Sequence, residues 1–197
     1  MNRVLKLLMF SDIFVVTGSG LIQPIIAIYI KDYPIGGTIF NIGLASMIFL
    51  ITKSIVQLPF SRFVDTHDNK IRWLIIGTFL SVIVPFIYIL AKDIKVIYFA
   101  QFLQGIGSGL AYPTWLGLWS ANLDKKSRSF QWSLYDTSTG LGAAAASGVG
   151  AAIAQYIGFE FTFVIVGIMS LLGCLLLFGL EKTETEKQTR LYRFLRA

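Results

Sequence analysis

Six apolar stretches constrain this chain more than any other feature. They cover residues 4–30, 38–60, 73–91, 96–120, 131–156 and 160–180, and runs of about 20 apolar residues are long enough to cross a bilayer. A backbone in hydrocarbon finds no water to bond. Every N–H and C=O must then be satisfied within a helix or a closed barrel. The stretches do not alternate apolar and polar residues, which argues against a barrel. Only 14% of residues are charged, too few for the surface of a soluble domain of this size. The expected fold class is an all-α membrane protein with six transmembrane helices.

The charges that remain are unevenly placed. Arg3 and Lys6 precede the first stretch. Arg62, Lys70 and Arg72 lie between the second and third, and Lys125, Lys126 and Arg128 between the fourth and fifth. Lys182, Lys187, Arg190, Arg193 and Arg196 follow the sixth. The alternate connections hold only Lys31, Lys92 and Lys95. This split follows the positive-inside rule and predicts both termini in the cytoplasm. The net charge of +6 therefore reports topology and attraction to anionic lipid. The lipid bilayer is the expected partner, and nucleic acid is not. The N-terminal stretch is expected to be the first spanning helix and not a signal peptide, because it is too long, contains Asp12 and lacks a clear small-residue cleavage site.

Chemistry-bearing residues are scarce. Cys174 and His67 are the only cysteine and histidine, and they lie in an apolar run and a polar loop. No metal cluster, Ser-His-Asp set or nucleophile–base pair can be assembled, so an enzyme, a metal and a cofactor are not expected.

Within the first and fourth stretches lies a heptapeptide that occurs twice. Gly18-Ser19-Gly20-Leu21-Ile22-Gln23-Pro24 and Gly107-Ser108-Gly109-Leu110-Ala111-Tyr112-Pro113 agree at five of seven positions. Each copy opens a block of three stretches, residues 4–91 and 94–180. A duplicated unit with an odd number of crossings must run the opposite way through the membrane. That is the inverted repeat of many secondary transporters. The competing explanation is chance in a membrane sequence rich in glycine and leucine.

Polar residues inside the stretches mark what must be hidden from lipid. Asp12, Ser19 and Gln23 share one helical stripe, and Pro24 should kink the turn before it. The second stretch carries Lys53 and Gln57, four apart. A lysine there snorkels, faces a wet cavity or pairs with an acid. Asp12 and Asp136 fall at a similar depth, roughly 10 Å inside the cytoplasmic end at ~1.5 Å per residue, and are its expected partners. The third stretch has little polarity besides Thr78 and Ser81 and reads as lipid-facing. In the fourth, Gln101, Gln104, Gly105, Ser108, Tyr112, Trp115 and Trp119 recur at three- and four-residue steps and share a face. That face either lines a cavity or holds helices together. If the heptapeptides are equivalent, the two stripes meet at the midplane, where transporters bind substrate. The fifth stretch opens with Gln131, Tyr135 and Asp136. It continues through small residues, 140–151, that let helix backbones approach closely. The candidate solute-binding residues are Asp12, Ser19, Gln23, Lys53, Gln101, Gln104, Ser108, Tyr112, Trp115 and Asp136.

The connection from Ser61 to Arg72 resembles the loop between helices two and three of the major facilitator superfamily. Asp65 matches its aspartate, and Lys70 and Arg72 its basic end. Ser61, Thr66 and Asp68 stand where glycine, arginine and glycine are usual. Gln101-Phe102-Leu103-Gln104-Gly105-Ile106-Gly107 resembles the family's helix-four motif, with Gln101 in place of an arginine often associated with proton coupling. Gly142, Ala146, Ser147, Gly150 and Ala151 resemble a glycine-proline signature of its antiporters, with Ser147 in place of proline. Residues 158–163 resemble its turn into helix six, and the polar and basic tail, 181–197, the start of its central linker.

The resemblance implies the N-terminal six-helix half of a major facilitator transporter, residues 1–180, built as two inverted three-helix repeats. It further implies alternating access for a small-molecule substrate, with efflux of hydrophobic compounds, and a gate at Asp65, Lys70 and Arg72. The expected location is the plasma membrane of a bacterium or archaeon. Such transporters normally have twelve helices. A second copy, as a homodimer, or a second six-helix half is thus an expected partner. The alternative is a non-transporting six-helix membrane subunit, or a truncated half acting with a partner.

Overall fold

The computed structural model describes residues 2–66 and 70–196, with side chains described through Glu181. The loop residues His67 and Asp68 therefore lie outside the described residues. Seven helices account for most of the rest: α1 (Arg3–Ile22), α2 (Ile26–Asp32), α3 (Ile39–Thr66), α4 (Lys70–Ile89), α5 (Ile94–Asn122), α6 (Arg128–Tyr156) and α7 (Phe159–Arg196).

Pro24 divides the first apolar stretch in two. α1 ends at Ile22 and a turn through residues 23–25 leads into α2. Proline has no N–H to continue the ladder. Gln23 N–H still reaches Ser19 O at 3.0 Å, and Ile25 N–H bonds only to Ile22 O, at 3.0 Å. Pro59, Pro85 and Pro113 sit inside α3, α4 and α5 without ending them. At the C-terminus, helix α7 continues to Arg196, where a polar, frayed tail is expected from residue 181. The backbone simply extends the helical ladder through a sequence that contains no glycine or proline after Gly179.

Among the described residues four helices are both long and apolar enough to cross a membrane: Arg3–Ile22, Ile39–Thr66, Lys70–Ile89 and Phe159–Glu181. α5 and α6 are each 29 residues long. Their apolarity is diluted, by glutamines and glycines in α5 and by Ser, Thr, Gly and Ala in α6.

α5 packs against α3 and α4, α1 packs against α6 and α7, and α4 packs against α7. Glycines set these contacts by letting backbones meet, since lipid gives helices no hydrophobic drive to associate. A Cβ at Gly18 would lie 3.0 Å from Met169 Cβ of α7, and one at Gly107 would lie 2.7 Å from Gly77 O of α4. A Cβ at Gly20 would lie 3.0 Å from Ala143 Cα of α6, and one at Gly109 would lie 2.8 Å from Val56 of α3.

Among the described residues two large apolar clusters fill the bundle, with a smaller one at Leu21, Ala146 and Val166. One joins Leu5 and Leu8, Leu74, Trp115 and Trp119, and Leu177 and Leu180. The other joins Tyr29, Ala45, Val84, Tyr88, Ile97 and Phe163. Burial corrects the expectation for the third stretch. α4 is wedged between α5 and α7 and buries Leu74, Thr78, Val82 and Tyr88 among others. Its uniform apolarity reflects core packing. The lipid-like surface belongs to α3, where only Ala45 and Val64 are buried.

The ends of the helices sort into two sets. Asn2 Nδ2 donates to Asn122 O at 3.3 Å, joining the start of α1 to the end of α5. Arg72 Nε donates to Glu181 Oε1 at 3.0 Å, joining α4 to α7 at that same end. At the opposite end, Ile35 N–H bonds to Lys92 O at 2.9 Å and Ile94 N–H to Ile35 O at 3.1 Å. The connections rich in Lys and Arg therefore share one end of the bundle.

Candidate functional site

Two adjoining cavities open between the helices. The first, about 240 Å³, is lined by Asp12 and Ser19 of α1, Lys53 of α3, Thr78 and Ser81 of α4, Gln104, Ser108, Tyr112 and Trp115 of α5, Tyr135 of α6 and Leu177 of α7. The second, about 490 Å³, lies toward α2 and is lined by Gln23, Phe49, Leu50, Val84, Tyr88, Gln101 and Val166 among others. Val15, Ser19, Ser81 and Gln104 face both. Every candidate solute-binding residue except Asp136 lines one of them. Asp136 is exposed and lines neither. One residue along α6 turns the side chain by ~100°, so Tyr135 takes the inward position and Asp136 does not.

The side chains in the first cavity are organised in pairs. Tyr135 Oη donates to Asp12 Oδ2 at 2.5 Å. Lys53 Nζ sits 4.8 Å from the centroid of the Tyr112 ring, within cation–π range. Among the described residues no ion pair joins Lys53 to Asp12 or Asp136, which corrects the expected pairing. The depth of Lys53 is also greater than its sequence suggested. α3 runs on to Thr66, which leaves Lys53 roughly 20 Å from either helix end at ~1.5 Å per residue.

Trp115 and Trp119 stack at 5.2 Å with an interplanar angle of 11°, and Trp115 lies 4.8 Å from the Tyr135 ring. Aromatic packing of this kind locks rotamers on the cavity wall. Gln104 Oε1 is buried and, among the described residues, accepts no hydrogen bond. In the second cavity Gln101 Nε2 donates to Tyr88 Oη at 2.9 Å. Tyr29 Oη in turn donates to Tyr88 O at 2.5 Å, so α2, α4 and α5 are linked through buried polar groups.

The residues expected to form a gate, Asp65, Lys70 and Arg72, line neither cavity. Asp65 is exposed in the last turn of α3, and Lys70 opens α4. Arg72 pairs with Glu181 at 3.0 Å, so the basic end of the loop ties α4 to α7. Sequence reasoning missed Tyr135, Thr78 and Ser81 as lining residues. The 78/81 spacing does mark one face of α4, but nothing local shows that face turned inward. Tyr135 had no local signal that set it apart from its neighbour Asp136.

Residues 8–193 match the model of the Major Facilitator Superfamily. The chain belongs to the major facilitator superfamily. Membership together with the apolar helices makes it an integral membrane protein of a transporter family. Among curated superfamily proteins it is 23% identical over 188 residues to an uncharacterized MFS-type transporter of Methanocaldococcus jannaschii, covering 90% of this chain and 48% of that one. It is 25% identical over 118 residues to the quinolone resistance protein NorA of Staphylococcus aureus, covering 60% of this chain and 30% of that one. The chain thus spans about half the length, or less, of these relatives. Among solved structures, the POT family transporter PepTSo superposes with a TM-score of 0.78 at 13% identity, over 92% of this chain and 38% of the other. At that identity the likeness is one of fold.

Proposed function

We propose that this superfamily chain is a secondary transporter that moves a small solute by alternating access, and that it exports hydrophobic compounds. The observation that carries this is the first cavity. Ionisable and polar side chains from α1, α3, α4, α5 and α6 converge there inside an otherwise apolar bundle. Such groups are expensive in lipid and are retained where they serve a pathway. Kinship to a quinolone resistance protein supports export of hydrophobic compounds.

In this reading six membrane spans form two inverted triplets, α1–α2 with α3 and α4, then α5 with α6 and α7. The glycine contacts support it. Gly18 meets α7 while its heptapeptide counterpart Gly107 meets α4; Gly20 meets α6 while Gly109 meets α3. Exchanging the triplets maps each contact onto the other. The helix packing maps likewise, α1 on α6 and α7 becoming α5 on α3 and α4. The shared end of the basic connections supports cytoplasmic termini. A second six-helix unit completes the path. The apolar exposure of Ile55 and Leu58 on α3 and the open face of α6 at Gly140 and Gly148 support a partner there.

Proteoliposome flux tests this. The protein, alone and as a cross-linked dimer, is expected to move at least one member of a panel of hydrophobic organic solutes well above empty liposomes. Asp12→Asn and Gln101→Ala should lower that flux. Absence of flux for the whole panel in both forms refutes transport by this chain, and unchanged flux in the variants removes those residues from the path.

A further inference from the structure

We infer that the solute is a hydrophobic organic anion whose charged group is held by Lys53. This rests on the transport-cavity reading and names the substrate class for it. Lys53 lies near the middle of α3, with Ile39 and Thr66 at the helix ends, too far from either end for its ammonium to snorkel to a headgroup. It faces the cavity. Tyr112 holds the ammonium at 4.8 Å from its ring centroid, which keeps the charge on the cavity side. Among the described residues it has no acidic partner. The acid that shares the cavity, Asp12, spends Oδ2 on the Tyr135 hydroxyl. The other acid of similar depth, Asp136, is exposed outside it.

A lysine ammonium set against a ring face, in a cavity whose one carboxylate, Asp12, is already hydrogen-bonded to Tyr135, favours a guest that brings a negative charge. The rest of the wall specifies the guest's body. Val15, Leu74, Ala111, Trp115 and Leu177 present apolar and aromatic surface to the same 240 Å³ space. Small-molecule sites combine such walls with a few placed polar groups. A carboxylate or sulfonate on a flat apolar body meets both demands. A hydrophobic cation meets only the second and would face Lys53 with a like charge.

Calorimetric titration of the full chain in lipid nanodiscs, against empty discs, tests this with two probes of matched body. These are 1-naphthoate and (1-naphthylmethyl)trimethylammonium. The anion is expected to bind at least about tenfold more tightly. Lys53→Gln should abolish that preference and Lys53→Arg, which keeps the charge, should retain it. Equal affinities, or preference for the cation, overturn the anion inference while leaving the cavity as a solute site. A folded Lys53→Gln protein that still prefers naphthoate overturns the role of Lys53. Binding of neither probe overturns the cavity reading as well. Should Lys53→Gln fail to fold, the wild-type comparison of the two probes still decides.

Discussion

Two glycines on one helix give the sharpest test of how this bundle is held together. Gly150 and Gly148 are two residues apart on α6 and face opposite ways. A Cβ at Gly148 would meet nothing within 4 Å, whereas one at Gly150 would run into Leu21 O and lie 2.6 Å from Leu21 C and Cα on α1. Relaxed carbon contacts sit at ~3.5–4.0 Å, so Gly150→Ala must push α1 and α6 apart by roughly 1 Å. The obstacle is helix backbone, which has no rotamer to give. Overpacking of this kind costs about 1–3 kcal/mol. Alanine's helix propensity returns about 1 kcal/mol at either site. Gly148→Ala should therefore be neutral or stabilising by up to about 1 kcal/mol. Gly150→Ala should destabilise by up to about 2 kcal/mol net, and should be about 1–3 kcal/mol less stable than Gly148→Ala. The assay is unfolding in mixed micelles followed by tryptophan fluorescence and circular dichroism, with both variants measured side by side. The same wedge should loosen the Tyr135–Asp12 bond, which spans α6 and α1. Equal stability of the two variants would refute the view that backbone contact at Gly150 sets the α1–α6 distance.

Other perturbations have equally definite outcomes. Trp119 is fully buried in the aromatic cluster, so Trp119→Ala should lower stability by about 3–5 kcal/mol in the same assay. Tyr29→Phe removes the donor to Tyr88 O and leaves that carbonyl without this bond, which should cost about 1–3 kcal/mol; denaturation midpoints check it. Arg72→Ala breaks an exposed pair with Glu181, and its stability should move by no more than about 1 kcal/mol, with any larger change marking the α4–α7 end as a structural lock. Tyr135→Phe should leave the bundle folded while lowering proteoliposome flux, because Asp12 loses the hydroxyl that orients it.

The membrane helices were readable in the residue order because lipid leaves a backbone so few options. Runs of apolar residues that must satisfy their own N–H and C=O groups become helices wherever they later dock. Pro24 interrupts its helix for an equally local reason, the missing N–H. The small-residue run of α6 likewise announced close packing, and Gly142 and Gly150 do meet α1 at Thr17 and Leu21. The stripes on α1 and α5 announced a shared polar face, and Asp12, Ser19, Gln104 and Ser108 do line one cavity.

Which face turns inward was a different matter. α3 and α4 are similarly apolar along their length, yet only α4 has helices on both sides. No local pattern separates a side chain greeted by lipid from one greeted by leucine, since the two environments solvate it alike. Lys53 could be placed in a span by inspection, but its neighbour, the Tyr112 ring rather than an aspartate, depended on how α3 crosses α5. Tyr135 and Asp136 are adjacent and both polar, and the packing angle of α6 alone chose which one reaches Asp12. Residue order sets how each segment satisfies its own backbone. The partner of each polar side chain is set by distances between segments far apart in the chain, and those exist only once the helices have docked.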